Sequence, residues 1–174
     1  MPLQAQRLDM NSKIQRLPTK AGLENRSMSR HRILVADNDA TSVAALVRLL
    51  MLQGHEVRAV HGVLQAVRVS ASFGPELVIL EVTRPGCDGL DAARTLRCRS
   101  RTSGRRILLV ALTTLSGPPL NDEAHAAGFD LVVPKAVDGA YLCDLVQGLI
   151  DTRALDARRG DPLDRVLLEG TRLH

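Results

Sequence analysis

The stretch LVILEVTRPGCDGL, residues 77–90, decides how this chain of 174 residues is interpreted. Its first four residues are all apolar and predict a strand that is buried on both faces, as the central strands of parallel sheets are. Glu81 places an acid at the carboxyl end of that strand, and Pro, Gly and Asp-Gly follow as turn residues. The stretch therefore predicts a central strand that delivers a carboxylate to one edge of a sheet.

Strands and helices alternate around this stretch, from Arg32 to about Arg153. Helical patterns separate five apolar runs, which predict strands at residues 33–36, 56–60, 77–80, 107–112 and 131–133. Five β/α units at this spacing predict a doubly wound, flavodoxin-like α/β fold with a five-stranded parallel sheet in the order 2-1-3-4-5. The last helix is predicted to begin after Asp138 and to bury Tyr141.

The chain is predicted to have three segments: a disordered basic leader (1–30), one globular domain (31–152) and a C-terminal tail (153–174). The leader carries six basic and two acidic residues and accounts for the formal net charge of +4, so the rest of the chain is neutral. A high pI that belongs to a leader is a poor argument for a nucleic-acid-binding domain. Translation from Met28 instead of Met1 stays an open alternative.

Composition argues against several classes of protein. Aromatic residues make up only 2% and Trp is absent, so there is no aromatic platform on which bases could stack. The three cysteines are widely spaced and suggest neither a zinc site nor a disulfide framework. No apolar run approaches the roughly 18 residues that span a bilayer. We expect a cytoplasmic protein that neither inserts into a membrane nor binds nucleic acid directly.

Polar residues follow four of the five predicted strands. They are Asp37, Asn38, Glu81, Thr113 and Lys135. In an open parallel sheet, ligands bind beyond the carboxyl ends of the central strands. We therefore expect these five residues to form one polar site.

These landmarks resemble those of bacterial response-regulator receiver domains of the chemotaxis-regulator type. The likeness covers residues 32–151 and includes GHEV at 54–57, PGCDG at 85–89 and AAGFD at 126–130. In that family, two adjacent acids after the first strand hold Mg²⁺, and an Asp that ends the third strand accepts a phosphoryl group. A Thr or Ser and a Lys after the last two strands bind the phosphoryl oxygens. The resemblance implies a signalling protein of a two-component phosphorelay system, and not an enzyme.

Several positions of this chain depart from the family pattern, among them Ala136 in place of a usual Pro, and two of the departures concern the acids of the site. Asn38 stands where the second acid is expected, and Glu81 stands at the phospho-acceptor position. Only Asp37 and Glu81 are then left as carboxylates for a metal, which implies weak Mg²⁺ binding and no other cofactor. The extra methylene moves the Glu81 carboxylate by roughly 1.5 Å, and a misplacement of about 1 Å can cost roughly 100-fold in rate. The longer side chain also brings Glu81 toward Lys135, where it could imitate a phosphorylated Asp.

The leading interpretation is a degenerate, single-domain receiver (a pseudo-receiver) that acts mainly by protein–protein interaction, through the last helix, the fifth strand and the helix before it. Its partner would be a histidine kinase or another signalling protein, and a homodimer stays open. The alternative is a working receiver that takes phosphate from a histidine kinase with Mg²⁺. A small α/β enzyme or nucleotide binder is a minor alternative, because the chain has neither a glycine-rich phosphate loop nor a nucleophile elbow. A DNA-binding regulator would need a partner, because about 22 residues after the domain are too few for a helix-turn-helix module.

Six arginines between residues 94 and 106 are predicted to form a solvated helix face and loop.

Overall fold

The structure is a computed structural model that describes residues 29–83, 88–114 and 118–159. The chain divides into two compact units. One unit spans residues 27–143 and contains the sheet and the first four helices, and the other includes the later part of the last helix, residues 144–159.

Five strands and five helices alternate along the described residues. The strands are β1 (Arg32–Ala36), β2 (Glu56–Val60), β3 (Leu77–Glu81), β4 (Leu108–Thr113) and β5 (Leu131–Pro134). The helices are α1 (Ala40–Leu52), α2 (Val63–Phe73), α3 (Asp88–Thr102), α4 (Pro118–Ala127) and α5 (Gly139–Arg159).

The strands form one parallel sheet in the order β2-β1-β3-β4-β5. This order confirms the predicted doubly wound, flavodoxin-like fold. Strand β3 lies at the centre, where Ile79 pairs with Val35 of β1 and with Val110 of β4. Its first four residues are fully buried, which explains why the run is apolar without alternation. Because the strands are parallel, all of their carboxyl ends lie along one edge of the sheet.

A hydrophobic core cluster lies between the sheet and helices α2, α3 and α4. Alternate residues of the central strands, such as Val78 and Leu80, meet Phe73 of α2 and Leu96 of α3 there. Small residues such as Ala93 let helix α3 approach the sheet closely. This packing fixes the carboxyl ends of the buried strands β3 and β4 at the edge of the sheet.

Arg97 of α3 departs from the predicted solvated arginine face. Its side chain is mostly buried, donates from Nε to the Gly128 carbonyl at 2.7 Å, and donates from its two terminal nitrogens to the Ile107 carbonyl and to Asp130 Oδ2. Asp130 also accepts from the backbone N–H of Leu109 at 2.9 Å. Arg97 thus ties α3 to the segments that enter β4 and β5.

The last helix differs from the prediction in two respects. It continues to Arg159, so the predicted boundary between residues 152 and 153 falls within it. Tyr141, predicted to be buried, is 50% exposed in the first turn of the helix. Nearly all of the predicted leader and most of the predicted tail lie outside the described residues, as does most of the PGCDG motif. No helix within the described ranges has the length and apolarity needed to cross a membrane.

Candidate functional site

Four of the five predicted site residues are brought to the carboxyl edge of the sheet by the strand register. Asp37 directly follows β1, Glu81 ends β3 and Thr113 ends β4. The pairing of Thr113 with Pro134 places Lys135 one residue further on, and the Lys135 N–H donates to the Thr113 carbonyl at 2.7 Å. The fifth residue, Asn38, follows Asp37 in the loop that leads to α1.

The side chain of Lys135 joins the two acids of the site. Its Nζ donates to Oε1 of Glu81 at 2.7 Å and lies 2.9 Å from Oδ1 and 2.8 Å from Oδ2 of Asp37. Asp37 is buried, and the side chains of Glu81 and Lys135 are only 13% and 15% exposed. The contact between Lys135 and Glu81 is the one that the longer acid was expected to make.

The loop between β1 and α1 supplies the remaining donors through its backbone. The Asn38 N–H donates to Oε2 of Glu81 at 3.3 Å, and the Asp39 N–H donates to Oδ1 of Asp37 at 2.8 Å. These backbone donors could not be identified from side-chain types in the sequence. The only sequence signal for them is the short polar loop that follows a buried strand.

Asp39 has a separate role from the acids of the site. It caps helix α1, because its side chain accepts from the Thr41 N–H at 3.0 Å and from the Ser42 hydroxyl at 2.6 Å. These bonds, the Ser42 bond above all, lower the pKa of the Asp39 carboxyl. Asp39 therefore does not restore the acid that Asn38 replaces.

Thr113 is buried at the end of β4, beside the segment that carries Lys135. The residue is 2% exposed, and its carbonyl oxygen accepts from the Lys135 N–H. The structure thus places the backbone of Thr113 beside that of Lys135 at the carboxyl edge of the sheet.

The two acids control the protonation of Lys135. Burial alone would lower the pKa of its ammonium group, but the hydrogen bonds to Asp37 and Glu81 and the charges of both acids outweigh burial and raise that pKa. The ammonium group is therefore firmly charged at neutral pH, and the site holds a fixed cation between two anions.

This raised pKa predicts a loss of stability at high pH. Stabilisation from a group with a raised folded-state pKa is complete below the ordinary lysine pKa of about 10.4 and is lost as the pH rises through the folded-state value. We expect the melting temperature to fall above about pH 10 for this reason. The chain offers a clean control, because Lys135 is its only lysine after residue 20. The Lys135→Met variant should lose the alkaline decline, and an unchanged decline in that variant would contradict the assignment.

A cavity of about 360 Å³ opens beside the ion pair. It is lined by Ala36, Asp37, Asn38, His61, Gly62, Val63, Leu64, Glu81, Thr83, Asp88 and Gly89. Gly62 has a φ of +81°, and a Cβ at this position would meet the Asn38 side-chain oxygen at 3.4 Å. Glycine at residue 62 therefore lets the loop before α2 adopt its conformation close to Asn38.

The donors of the site fit Mg²⁺ poorly. Mg²⁺ requires a near-octahedral set of oxygens, usually including one or two carboxylates. Asp37 and Glu81 already accept from the Lys135 ammonium, and Asn38 can offer only a neutral carbonyl oxygen. Within residues 29–83, 88–114 and 118–159, no group of three or more His, Cys, Asp or Glu side chains could hold a metal ion.

Comparison with known proteins identifies the family. The model of the response regulator receiver domain matches residues 33–147, which is well over half of the chain. The chain belongs to the response regulator receiver family. Receiver domains typically bind Mg²⁺ for phosphorylation, so the poor fit of this site to the metal is a departure within the family.

Relatives agree with this membership, and a solved structure shares the fold. The chain is 32% identical over 125 residues to the sensory/regulatory protein RpfC of Xanthomonas campestris. This match covers 71% of this chain and 17% of RpfC. It is 32% identical over 104 residues to the response regulator MprA of Mycobacterium ulcerans, covering 60% and 43% of the two chains. The receiver domain of Ssk1 from Saccharomyces cerevisiae, solved with the histidine phosphotransfer protein Ypd1, has a similar fold. That match has a TM-score of 0.59 at 19% identity and covers 67% of this chain and 86% of the other. The chain thus spans less than half the length of the curated relatives RpfC and MprA.

Proposed function

We propose that this receiver-family protein works in two-component signalling as a domain held in one state by an ion pair, and that it acts by binding another protein. The observation that carries the proposal is the position of Lys135, whose ammonium group bridges Glu81 at 2.7 Å and Asp37 at 2.8 Å. Glu81 supplies at the phospho-acceptor position a negative charge that does not depend on phosphorylation. The protein would not be an enzyme.

The hydrogen bonds of the acids support this proposal. Each carboxylate oxygen of Asp37 and Glu81 already has a donor, either the Lys135 ammonium or a backbone N–H. A carboxylate that attacks a phosphoryl group must be free to approach it in line, and transfer depends on closely neutralised charge. Glu81 is instead held from two sides, by Lys135 and by the Asn38 backbone. These contacts oppose phosphorylation and favour a fixed arrangement of the loops.

The fixed lysine also connects the site to a surface. Lys135 lies between β5 and α5, where the Val137 N–H donates to the Pro134 carbonyl at 3.2 Å and the Leu142 N–H donates to the Asp138 carbonyl at 3.0 Å. The first turn of α5 that follows exposes Tyr141. A side chain held by Glu81 at one end of this loop can therefore bias the position of Tyr141 at the other. Such a bias requires that the ion pair be stronger in one arrangement than in another.

The partner class follows from the family and from one solved complex. In that complex, the Ssk1 receiver domain is bound to the histidine phosphotransfer protein Ypd1. We infer that this chain binds a histidine kinase, a phosphotransfer protein or another signalling protein. The surface used would include α4, β5 and residues 139–143 at the start of α5.

Nuclear magnetic resonance of the labelled protein tests the fixed state without a known partner. Mg²⁺ with beryllofluoride, a phosphoryl mimic, should leave the amide signals of Thr113, Lys135 and Tyr141 unchanged in the native chain. Glu81→Gln should move these signals without any added ligand, because a neutral amide holds the Lys135 ammonium more weakly and leaves Asp37 as its only charged partner in the described site. Lys135→Ala should move the Tyr141 signal in the same direction, and the two changes together should have less effect than their sum, because the residues act as a pair.

The matched control is Glu76→Gln. Glu76 has the same chemistry but lies before β3, where its Oε2 is 2.8 Å from His31 Nδ1. Its replacement should leave the Tyr141 signal in place. A large beryllofluoride response in the native chain, or an E81Q spectrum altered only next to residue 81, would contradict the proposal.

A further inference from the structure

Arginines of the described residues lie around the amino edge of the sheet, where Arg32 begins β1 and Arg105 lies in the loop before β4. Three acids share this edge: Glu56 begins β2, and Glu76 and Asp130 directly precede β3 and β5. The sequence after residue 30 has equal numbers of acidic and basic residues. A domain that is neutral as a whole can still present a locally basic surface where some of its arginines have no acidic partner.

Four arginines surround the second half of helix α2, and we call them the arginine row: Arg32, Arg58, Arg99 and Arg105. The Arg58 guanidinium carbon lies 4.5 Å from the centroid of the Phe73 ring. Terminal nitrogens of Arg32 and Arg105 both lie 3.7 Å from the point that a Cβ on Gly74 would occupy, so their guanidinium groups are neighbours.

Arg99 completes the row from helix α3. One of its terminal nitrogens donates to the Val67 carbonyl of α2 at 2.6 Å. Val67 precedes Gly74 by seven residues, which corresponds to about 10 Å along a helix. The row therefore presents several guanidinium groups over the length of two helical turns.

The row lacks the carboxylates that neutralise other arginines. Arg30, Arg94, Arg97 and Arg106 each form an ion pair with an acid. Among the described residues, no carboxylate lies within ion-pair distance of a row guanidinium. All of the row except Arg32 is exposed. The nearby Glu76 carboxylate binds His31 and the Arg32 backbone N–H, and it also interacts with the Arg32 charge, which partly neutralises that arginine. The carbonyl end of α2 supplies only a partial negative charge, so the row keeps an excess of positive charge.

We propose that the arginine row binds the phosphate backbone of a double-stranded nucleic acid without reading its sequence. Guanidinium groups match phosphate oxygens in geometry and charge, and contacts of this kind account for most non-specific binding to nucleic acid. The proposal is independent of the Glu81 site and goes beyond protein–protein signalling. It departs from the expectation, drawn from the sequence, that the chain does not bind nucleic acid directly.

Two features favour a phosphate backbone over an acidic protein segment. The large exposed hydrophobic residues of the described ranges are Met51, Leu52, Leu64 and Tyr141. Of these, only Leu64 lies on α2, one turn before the Val67 that Arg99 contacts. A stable protein interface needs an apolar or aromatic centre, whereas phosphate contacts do not. The low aromatic content also favours a duplex over a single strand, because it offers no stacking surface.

The test is fluorescence anisotropy of a labelled duplex of about 20 base pairs and mixed sequence, titrated with the full chain over a range of salt concentrations. The Arg32→Gln, Arg105→Gln double variant should bind at least about tenfold more weakly at low salt. It should also reduce the slope of log K against log salt by roughly 1.8, because each lost phosphate contact contributes about 0.9. The matched control is Arg48→Gln with Arg94→Gln, which removes the same charge from exposed positions on α1 and α3 outside the row.

The control double variant distinguishes the contribution of the row arginines to binding from that of the overall positive charge, including the charge of residues 1–30. A control double variant that retains the native affinity and slope supports the row. Equal losses in the two double variants would overturn the proposal, because charge alone would then explain binding. Binding to a polyglutamate peptide without binding to the duplex would also overturn it and would assign the row to an acidic protein segment.

Discussion

Incubation with acetyl phosphate and Mg²⁺ should give the native chain little or no acyl-phosphate. The Glu81→Asp, Asn38→Asp double variant should form roughly 100-fold more acyl-phosphate than the native chain. The native carboxylate is displaced by one methylene and is held by the Lys135 ammonium at 2.7 Å and the Asn38 N–H at 3.3 Å. The shorter acid retracts from this position, and the new carboxylate at residue 38 adds the charge that a metal site needs. Intact-protein mass spectrometry after a fixed incubation measures the product.

Single variants show which of the two changes matters. Asn38→Asp alone restores charge but leaves the acid too long, so it should gain little product. Glu81→Asp alone restores the length of the acid but not the charge, and it should fall between the native chain and the double variant. Efficient, Mg²⁺-dependent labelling of native Glu81 would instead show a working receiver. The fixed-state proposal would then be wrong, although the family membership would stand.

The sequence predicted the sheet well because its signals are local and mutually consistent. Runs such as Leu77 to Leu80 are apolar because they are covered on both faces, and each is followed by a polar residue at one edge of the sheet. Once the strands are known to be parallel, Asp37, Glu81 and Lys135 must approach one another. The arrangement of the site therefore follows from topology, and the family resemblance adds the chemistry.

Other features of the site depend on contacts that residue types do not encode. The donors from the backbones of Asn38 and Asp39 arise from the path of one loop, and the sequence gives only its polarity. Tyr141 was expected to be buried because it begins an apolar pattern, yet it lies in a first turn that is half exposed. Helix α3 continues to Thr102, so Arg99 and Arg101 of the predicted arginine face and loop are helical, since an arginine-rich end can still be helical.

Arg97 shows why clustered charges are difficult to assign from sequence. Six arginines between residues 94 and 106 look equivalent as a solvated set. Arg97, however, follows the buried Ala93 by four residues and precedes the buried Ser100 by three. Arg94 also follows a buried residue, Leu90, by four, but no buried residue stands three or four positions after it. Arg97 is therefore flanked on both sides by the buried stripe of α3, and Arg94 on one side only. The distant acceptors, Gly128 and Asp130, are recognised only in the structure.

Replacing Arg97 by Leu is expected to cause the largest loss of stability among the substitutions considered, about 3 kcal/mol in the free energy of unfolding. The substitution leaves two carbonyl groups and the Asp130 carboxylate without their main donor in a site where Asp130 is only 16% exposed. The Leu109 N–H and the more distant Arg106, at 3.6 Å, still stabilise the acid, which keeps the effect at the lower end for a broken buried pair. Thermal unfolding should show a fall in melting temperature of roughly 10 °C.

The control for this prediction lies one turn earlier on the same helix. Arg94 pairs with Asp91 at 2.6 Å on an exposed surface, so Arg94→Leu should change stability by less than about 0.5 kcal/mol. Asp130→Asn in the Arg97→Leu background should recover part of the loss, because it removes the uncompensated charge. If Arg97→Leu is no more harmful than Arg94→Leu, the buried network contributes nothing net, and hydrophobic packing alone holds α3 against the entries to β4 and β5. If Arg97→Leu is clearly more destabilising than Arg94→Leu, the arginine-rich segment has two roles. Arg97 stabilises the fold through buried contacts, and Arg99 and Arg105 stay exposed in the arginine row.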